Sequence, residues 1–174
     1  TDLANVAADT FDLTSTGEIS ATGTLVIDGA LTLQAGTGES ITLTGANTFG
    51  MLSLGQGGVV NINETDPAGE TRLGSIDVDG LTLTTDTAVS QVDGTGITAD
   101  NLDIATPGSD ITLDSQNILG DVALDGANVV LVDATATRLG DISTAGDFTL
   151  TSGARITQLA NEPLLDVSGD ASFT

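Results

Sequence analysis

The chain has 174 residues, 39% of them hydrophobic but only 2% aromatic, so its core must be built from Leu, Ile, Val and Ala. It carries 25 Asp plus Glu against 3 Lys plus Arg and no His, giving a net charge of -22 and a pI near 4.1. That balance argues against nucleic acid and anionic membrane surfaces, because phosphate binding needs Lys or Arg to displace counterions.

The plain reading of the acidity is solubility and self-repulsion. With no Cys, disulfides and thiol chemistry are absent. No apolar run approaches the roughly 20 residues of a membrane-spanning helix, so no membrane insertion is expected.

One triplet recurs along the chain: apolar, small or polar, apolar. Its copies are Phe11-Asp12-Leu13, Leu31-Thr32-Leu33, Leu52-Ser53-Leu54, Leu81-Thr82-Leu83, Leu102-Asp103-Ile104, Val122-Ala123-Leu124, Phe148-Thr149-Leu150 and Ala171-Ser172-Phe173. Alternation with period two turns the outer pair inward and the middle residue outward. A return every twenty residues or so is the mark of stacked coils (roughly 20–50 residues is the repeat range). The core positions expected from this pattern are Leu31, Leu33, Leu52, Leu54, Leu81, Leu83, Leu102, Ile104, Leu124, Phe148 and Leu150.

A longer repeat lies over the first. Residues 41–64 (ITLTGANTFGMLSLGQGGVVNINE) align without gaps with 111–134 (ITLDSQNILGDVALDGANVVLVDA). Asn47 then matches Asn117, and Gly50 matches Gly120. Thr71-Arg72-Leu73-Gly74-Ser75-Ile76 matches Thr137-Arg138-Leu139-Gly140-Asp141-Ile142, with a weaker third copy at Thr1. The chain therefore reads as one β-solenoid domain, 1–174, with units 1–70, 71–136 and a partial 137–174, and about three coils in each unit of roughly 66–70 residues. Each coil holds about three short strands joined by Gly, Asp, Thr and Asn turns. A sandwich or barrel would need longer alternating strands and hairpin turns. Thr1 enters mid-repeat and Phe173 stops on a core strand, so continuation of a longer chain, or end-to-end self-association, is expected at the two open edges.

The segment 65–70 (TDPAGE) stands where the later copy has only Thr135-Ala136. It reads as a surface insertion, and as a binding loop in the functional alternative.

Catalysis would fall to carboxylates alone, since His, Cys, Lys, Tyr and Trp are missing. Arg72 and Arg138 recur at one repeat position, which suits neutralising nearby acids; Arg155 is the third. No catalytic, cofactor or ordered metal site is assigned, and the chain is read as not an enzyme. Asp77/Asp79, Asp100/Asp103 and Asp110/Asp114 could offer oxygens to loosely bound Ca²⁺, but turn Asp residues usually cap their own backbone.

Thr42/Thr44 and Thr82/Thr84 form local Thr-x-Thr pairs of the kind ice-binding solenoids array. The outward row runs Asp12, Thr32, Ser53, Thr82, Asp103, Ala123, Thr149, Ser172, which is mixed and argues against that use. Asn47 and Asn117 read equally as amides stacked along a solenoid or as local turn residues.

The phrases at 146–158 (GDFTLTSGARITQ) and 165–174 (LDVSGDASFT) resemble repeats of giant secreted bacterial exoproteins, the filamentous-haemagglutinin-like adhesins. The resemblance implies a right-handed parallel β-helix and an extracellular or cell-surface location. It implies a structural shaft segment, or filament-forming unit, of a bacterial surface fibre. The alternative is an adhesive module recognising a glycan or a host-surface ligand. The amino-terminal secretion domain and carboxy-terminal membrane barrel of such proteins are not seen in these residues.

Overall fold

The computed structural model describes residues 1–65, 69–160 and 164–174. Among them every regular element is a strand, and the strands make one 17-stranded sheet. They are β1 (Asp2–Leu3), β2 (Val6–Ala8), β3 (Phe11–Thr14), β4 (Ile19–Ala21), β5 (Leu25–Gln34), β6 (Ile41–Gly55), β7 (Val59–Glu64), β8 (Thr71–Thr84) and β9 (Val89–Gln91). Then follow β10 (Ile97–Ala105), β11 (Ile111–Gly126), β12 (Val129–Asp133), β13 (Arg138–Thr144), β14 (Phe148–Ser152), β15 (Thr157–Gln158), β16 (Leu165–Val167) and β17 (Ala171–Phe173).

The fold is a parallel β-solenoid of about 8 turns. Parallel strands need a crossover, and here each coil is the crossover that brings the next strand onto the last. At roughly 4.8 Å per coil the stack is about 38 Å tall.

The expected core is where the alternation put it. Leu31, Leu33, Leu83, Ile104, Phe148 and Leu150 are all 0% exposed, and the other expected positions are buried beside them. Leu83 sits in register between Ile62 and Ile104. Each such side chain contributes about 1.5–3 kcal/mol by leaving water. Phe173 packs edge-on against Phe148 at 5.7 Å between ring centroids, but lies in the last coil and is 44% exposed.

Two expectations need correction. First, the triplets are not one column. Leu31 pairs with Leu52, Leu81 pairs with Val60 and Leu102, and Phe148 pairs with Val129 and Ala171. The outward row over Thr82 is Asp2, Ser20, Thr42, Asn61, Thr82, Asp103, Ala123 rather than the row expected above. The cause is unequal coil length: Val122 pairs forward with Leu139, whereas Phe148 must reach Ala171. A near-constant interval in sequence therefore does not define register.

Second, many strands are longer than one side of a coil. β6 and β11 run around corners while keeping their ladders, and the register slips at Leu43/Asn47 and Leu113/Asn117. Another slip recurs at the repeated Arg-Leu-Gly motif. Leu52 and Leu54 face Leu73 and Ile76, and Val122 and Leu124 face Leu139 and Ile142. The additional residue forms a β-bulge, which bends the strand without ending it. At Gly120 the coils approach so closely that a Cβ would lie 2.2 Å from the Asp100 carbonyl oxygen, so only Gly fits.

Candidate functional site: polar locks and outward faces

Asn47 and Asn117 begin from one sequence fact, their equivalence in the long repeat. Both are 0% exposed and sit at the corner where β6 and β11 slip register. Asn47 Oδ1 accepts from Leu25 N–H at 3.1 Å, one coil below. Its Nδ2 donates to Gly45 O at 2.9 Å and to Asn63 O at 2.8 Å, one coil above. Asn117 repeats the pattern: Oδ1 accepts from Ile97 N–H at 2.9 Å, and Nδ2 donates to Ser115 O at 3.1 Å and Val132 O at 2.9 Å. Gln91 Nε2 adds a 2.8 Å bond to Asn117 Oδ1. Each amide thus satisfies backbone groups that a corner would orphan, and ties neighbouring coils together. They are corner residues, and neither stacks on another Asn.

The residue above each Asn is a buried acid. Asn47 pairs with Glu64 and Asn117 with Asp133, and both acids are 1% exposed. Glu64 Oε2 accepts from Thr71 Oγ1 at 2.8 Å and from Thr85 Oγ1. Thr87 Oγ1 lies 3.1 Å from both of those hydroxyls. Asp133 Oδ2 accepts from Thr137 Oγ1 at 2.8 Å, and Oδ1 from Thr135 N–H at 3.0 Å. Hydroxyl and amide hydrogen bonds of this kind are what allow an acid into an interior. The signal for these acids was present in the repeat, but ungapped alignment set Glu64 against Ala134, one residue away from its counterpart Asp133. Thr71 and Thr137 mark the repeat in sequence, and the fold makes them inward donors.

Outside, a chain of Asx side chains runs up one corner. Asp110 Oδ1 accepts from Asn128 N–H at 3.0 Å, Asn128 Oδ1 from Asp147 N–H at 3.0 Å, and Asp147 Oδ1 from Asp170 N–H at 2.9 Å. Asn5 does the same for Thr24 N–H at 2.8 Å. Asp110 and Asp147 thus cap the backbone of the coil above, whereas Asp133, accepting from Thr135 N–H, caps its own as expected of a turn Asp.

Of the acids considered for Ca²⁺, Asp77 and Asp79 line one groove with Asp100, while Asp103 faces a different one. Asp110 is engaged by Asn128, and Asp114 is exposed. Among the described residues no group of three or more acids is placed to hold a metal ion.

The groove around Asp103 is lined also by Asp121, Ala123, Gly140 and Asp141. Desolvation raises the Asp103 carboxyl above its ordinary value, and the charge of Asp141 adds to the rise. Arg138 forms an ion pair with Asp121, as expected for a neutralising role. Arg72 takes Met51 and Ser90 as ladder neighbours, so its copy of that pairing lacks the acid. Arg155 is exposed. Of the segment 65–70, residues 66–68 lie outside the described residues; Thr65 N–H donates to Asn47 O at 2.7 Å.

No curated protein and no solved structure matches the chain. A family model of repeats does match, over residues 1–54, 57–125 and 126–174, three stretches that together span nearly all of it. Their limits differ in phase from units 1–70, 71–136 and 137–174, and in a stack of similar coils the starting point of a repeat is a matter of convention. The chain belongs to the family described as Repeats of unknown function (DUF5649).

Proposed function

We propose that this chain is a shaft segment of an extracellular bacterial surface fibre and that it works mechanically, without catalysis. One observation carries this reading: the corner amides and the exterior Asx side chains are spent on joining coil to coil. Asn47, Asn117, Asn128 and Asp147 each bridge to an adjacent coil, where an enzyme would direct such groups into a cleft. Together with parallel ladders from β1 to β17 they resist bending and shear. The acidic exterior keeps neighbouring shafts apart. Further coils, from a longer parent chain or a second copy, would cover the apolar edge that carries Leu164, Leu165 and Phe173.

Single-molecule pulling from the two chain ends tests this. A shaft releases coils in discrete steps of about 70 Å, from roughly twenty residues at about 3.5 Å each. Smooth extension at low force would contradict a load-bearing role.

A further inference from the structure

The corrected register reveals an uncharged array on one outward face. Thr42 of β6 pairs with Asn61 of β7, Asn61 pairs with Thr82 of β8, and Asn63 pairs with Thr84. Beside Thr42 runs a shallow groove of about 310 Å³, lined by Thr44, Asn61, Asn63, Thr82 and Thr84 with Leu43 and Ile62. The next residue up this face is Asp103, so the array is a neutral window on a chain of net charge -22.

A second observation is independent of the first. Asn5, Asn47, Asn117 and Asn128 all bond to other coils. The side chains of Thr42, Asn61, Asn63, Thr82 and Thr84 make no hydrogen bond to any described residue. Their donors and acceptors are held on a rigid sheet and left to solvent.

We propose that this array binds a neutral β-linked polysaccharide laid along the solenoid axis. The site is separate from the shaft role and does not depend on it. Coils repeat at roughly 4.8 Å, close to the advance of one β-1,4-linked pyranose, so successive sugars meet equivalent rows. Sugar hydroxyls both donate and accept, as the Asn amides and Thr hydroxyls do. Neutrality matters because seating a sugar over a carboxylate would desolvate the charge. An acidic polysaccharide is repelled by the rest of the surface. An ice lattice fits less well, since the longer Asn61 and Asn63 side chains interrupt the flat Thr rows.

The probes are amorphous cellulose and chitin in co-sedimentation with the 174-residue chain, and their hexasaccharides in amide-resolved NMR titration. The expected result is binding to at least one, with shifts confined to 42–44, 61–63 and 82–84. The double variant N61D/N63D, which is near-isosteric and outward-facing, should lose roughly tenfold or more in affinity, as for about two hydrogen bonds. T149D, a charge on another outward row, should bind as the parent does. Far-UV circular dichroism checks that both variants fold, and the shift map needs no variant. Binding to neither polysaccharide, shifts elsewhere, unchanged affinity in N61D/N63D, or shaping of ice crystals in place of sugar binding would overturn the proposal.

Discussion

Replacing Asn117 with Ala removes the most heavily bonded corner residue. The loss strips Ile97 N–H and the Val132 carbonyl of the amide's bonds at a position with 0% exposure, while the Gln91 amide keeps only its bonds to Thr95 O and from Ser115 N–H. A buried polar group without a partner costs about 1–3 kcal/mol. For the two backbone groups the sum is about 2–6 kcal/mol, a large share of the roughly 5–15 kcal/mol available to a domain. The melting midpoint should fall by about 4–24 °C, given about 2–4 °C per kcal/mol at this size. Asn128→Ala is the control. It removes bonds of similar length, from Asp147 N–H and to Asp110 Oδ1, but on the exterior, where water substitutes; its cost should be near that of a lost helix cap, about 1 kcal/mol. Urea unfolding followed by far-UV circular dichroism measures both. If N117A stays within about 1 kcal/mol of the parent, or N128A costs more, the corner amides are not the locks described.

Leu83→Asp places a charge in the aliphatic stack between Ile62 and Ile104, and should lose at least the ~2–5 kcal/mol of a Leu-to-Ala cavity; an unchanged melt would mean the residue faces outward. Gly120→Ala should destabilise strongly, because the Asp100 carbonyl occupies the place of the new methyl; a variant as stable as the parent would remove close coil approach as the reason for Gly. Arg138→Ala should cost only ~0.2–1 kcal/mol, shrinking in high salt, since the guanidinium side of the pair is 56% exposed.

Asp103→Asn tests the acidic groove through pH. The folded carboxyl titrates above its unfolded value, through desolvation first and Asp141 second, so its ionised form opposes folding. The variant should therefore be slightly more stable than the parent at neutral pH. That difference should disappear as acid protonates Asp103 from its raised value down through the ordinary carboxylate range. Melting midpoints of both proteins from pH 3 to 7 decide it; a parent more stable than the variant at neutral pH would reverse the sign.

Much of this architecture was legible because alternation and recurrence are both local in sequence. Leu-Thr-Leu at 81–83 declares its inward pair by itself, and every expected core position in the inner coils is buried. Register was not legible, because it depends on how many residues each corner consumes. Thr82 and Ser53 carry the same triplet signature but stand over different rows, with Asn61 and Asp103 beside one and Thr32 beside the other. The neutral array was hidden by that same ambiguity, since the expected row skipped Asn61 altogether. Buried acids such as Glu64 and Asp133 were hidden for another reason. Composition marks Asp and Glu as surface residues, and only the fold shows Thr71 and Thr137 turned inward to receive them.

The claim that this is a shaft is tested most directly where the protein operates. Antibodies raised against the folded chain, used for immunogold electron microscopy of the source cells, give the answer in one image. The account predicts gold distributed along the length of fibres that project from the cell surface. Gold confined to the cytoplasm would contradict the shaft outright, and gold restricted to fibre tips would assign the chain to adhesion in its place.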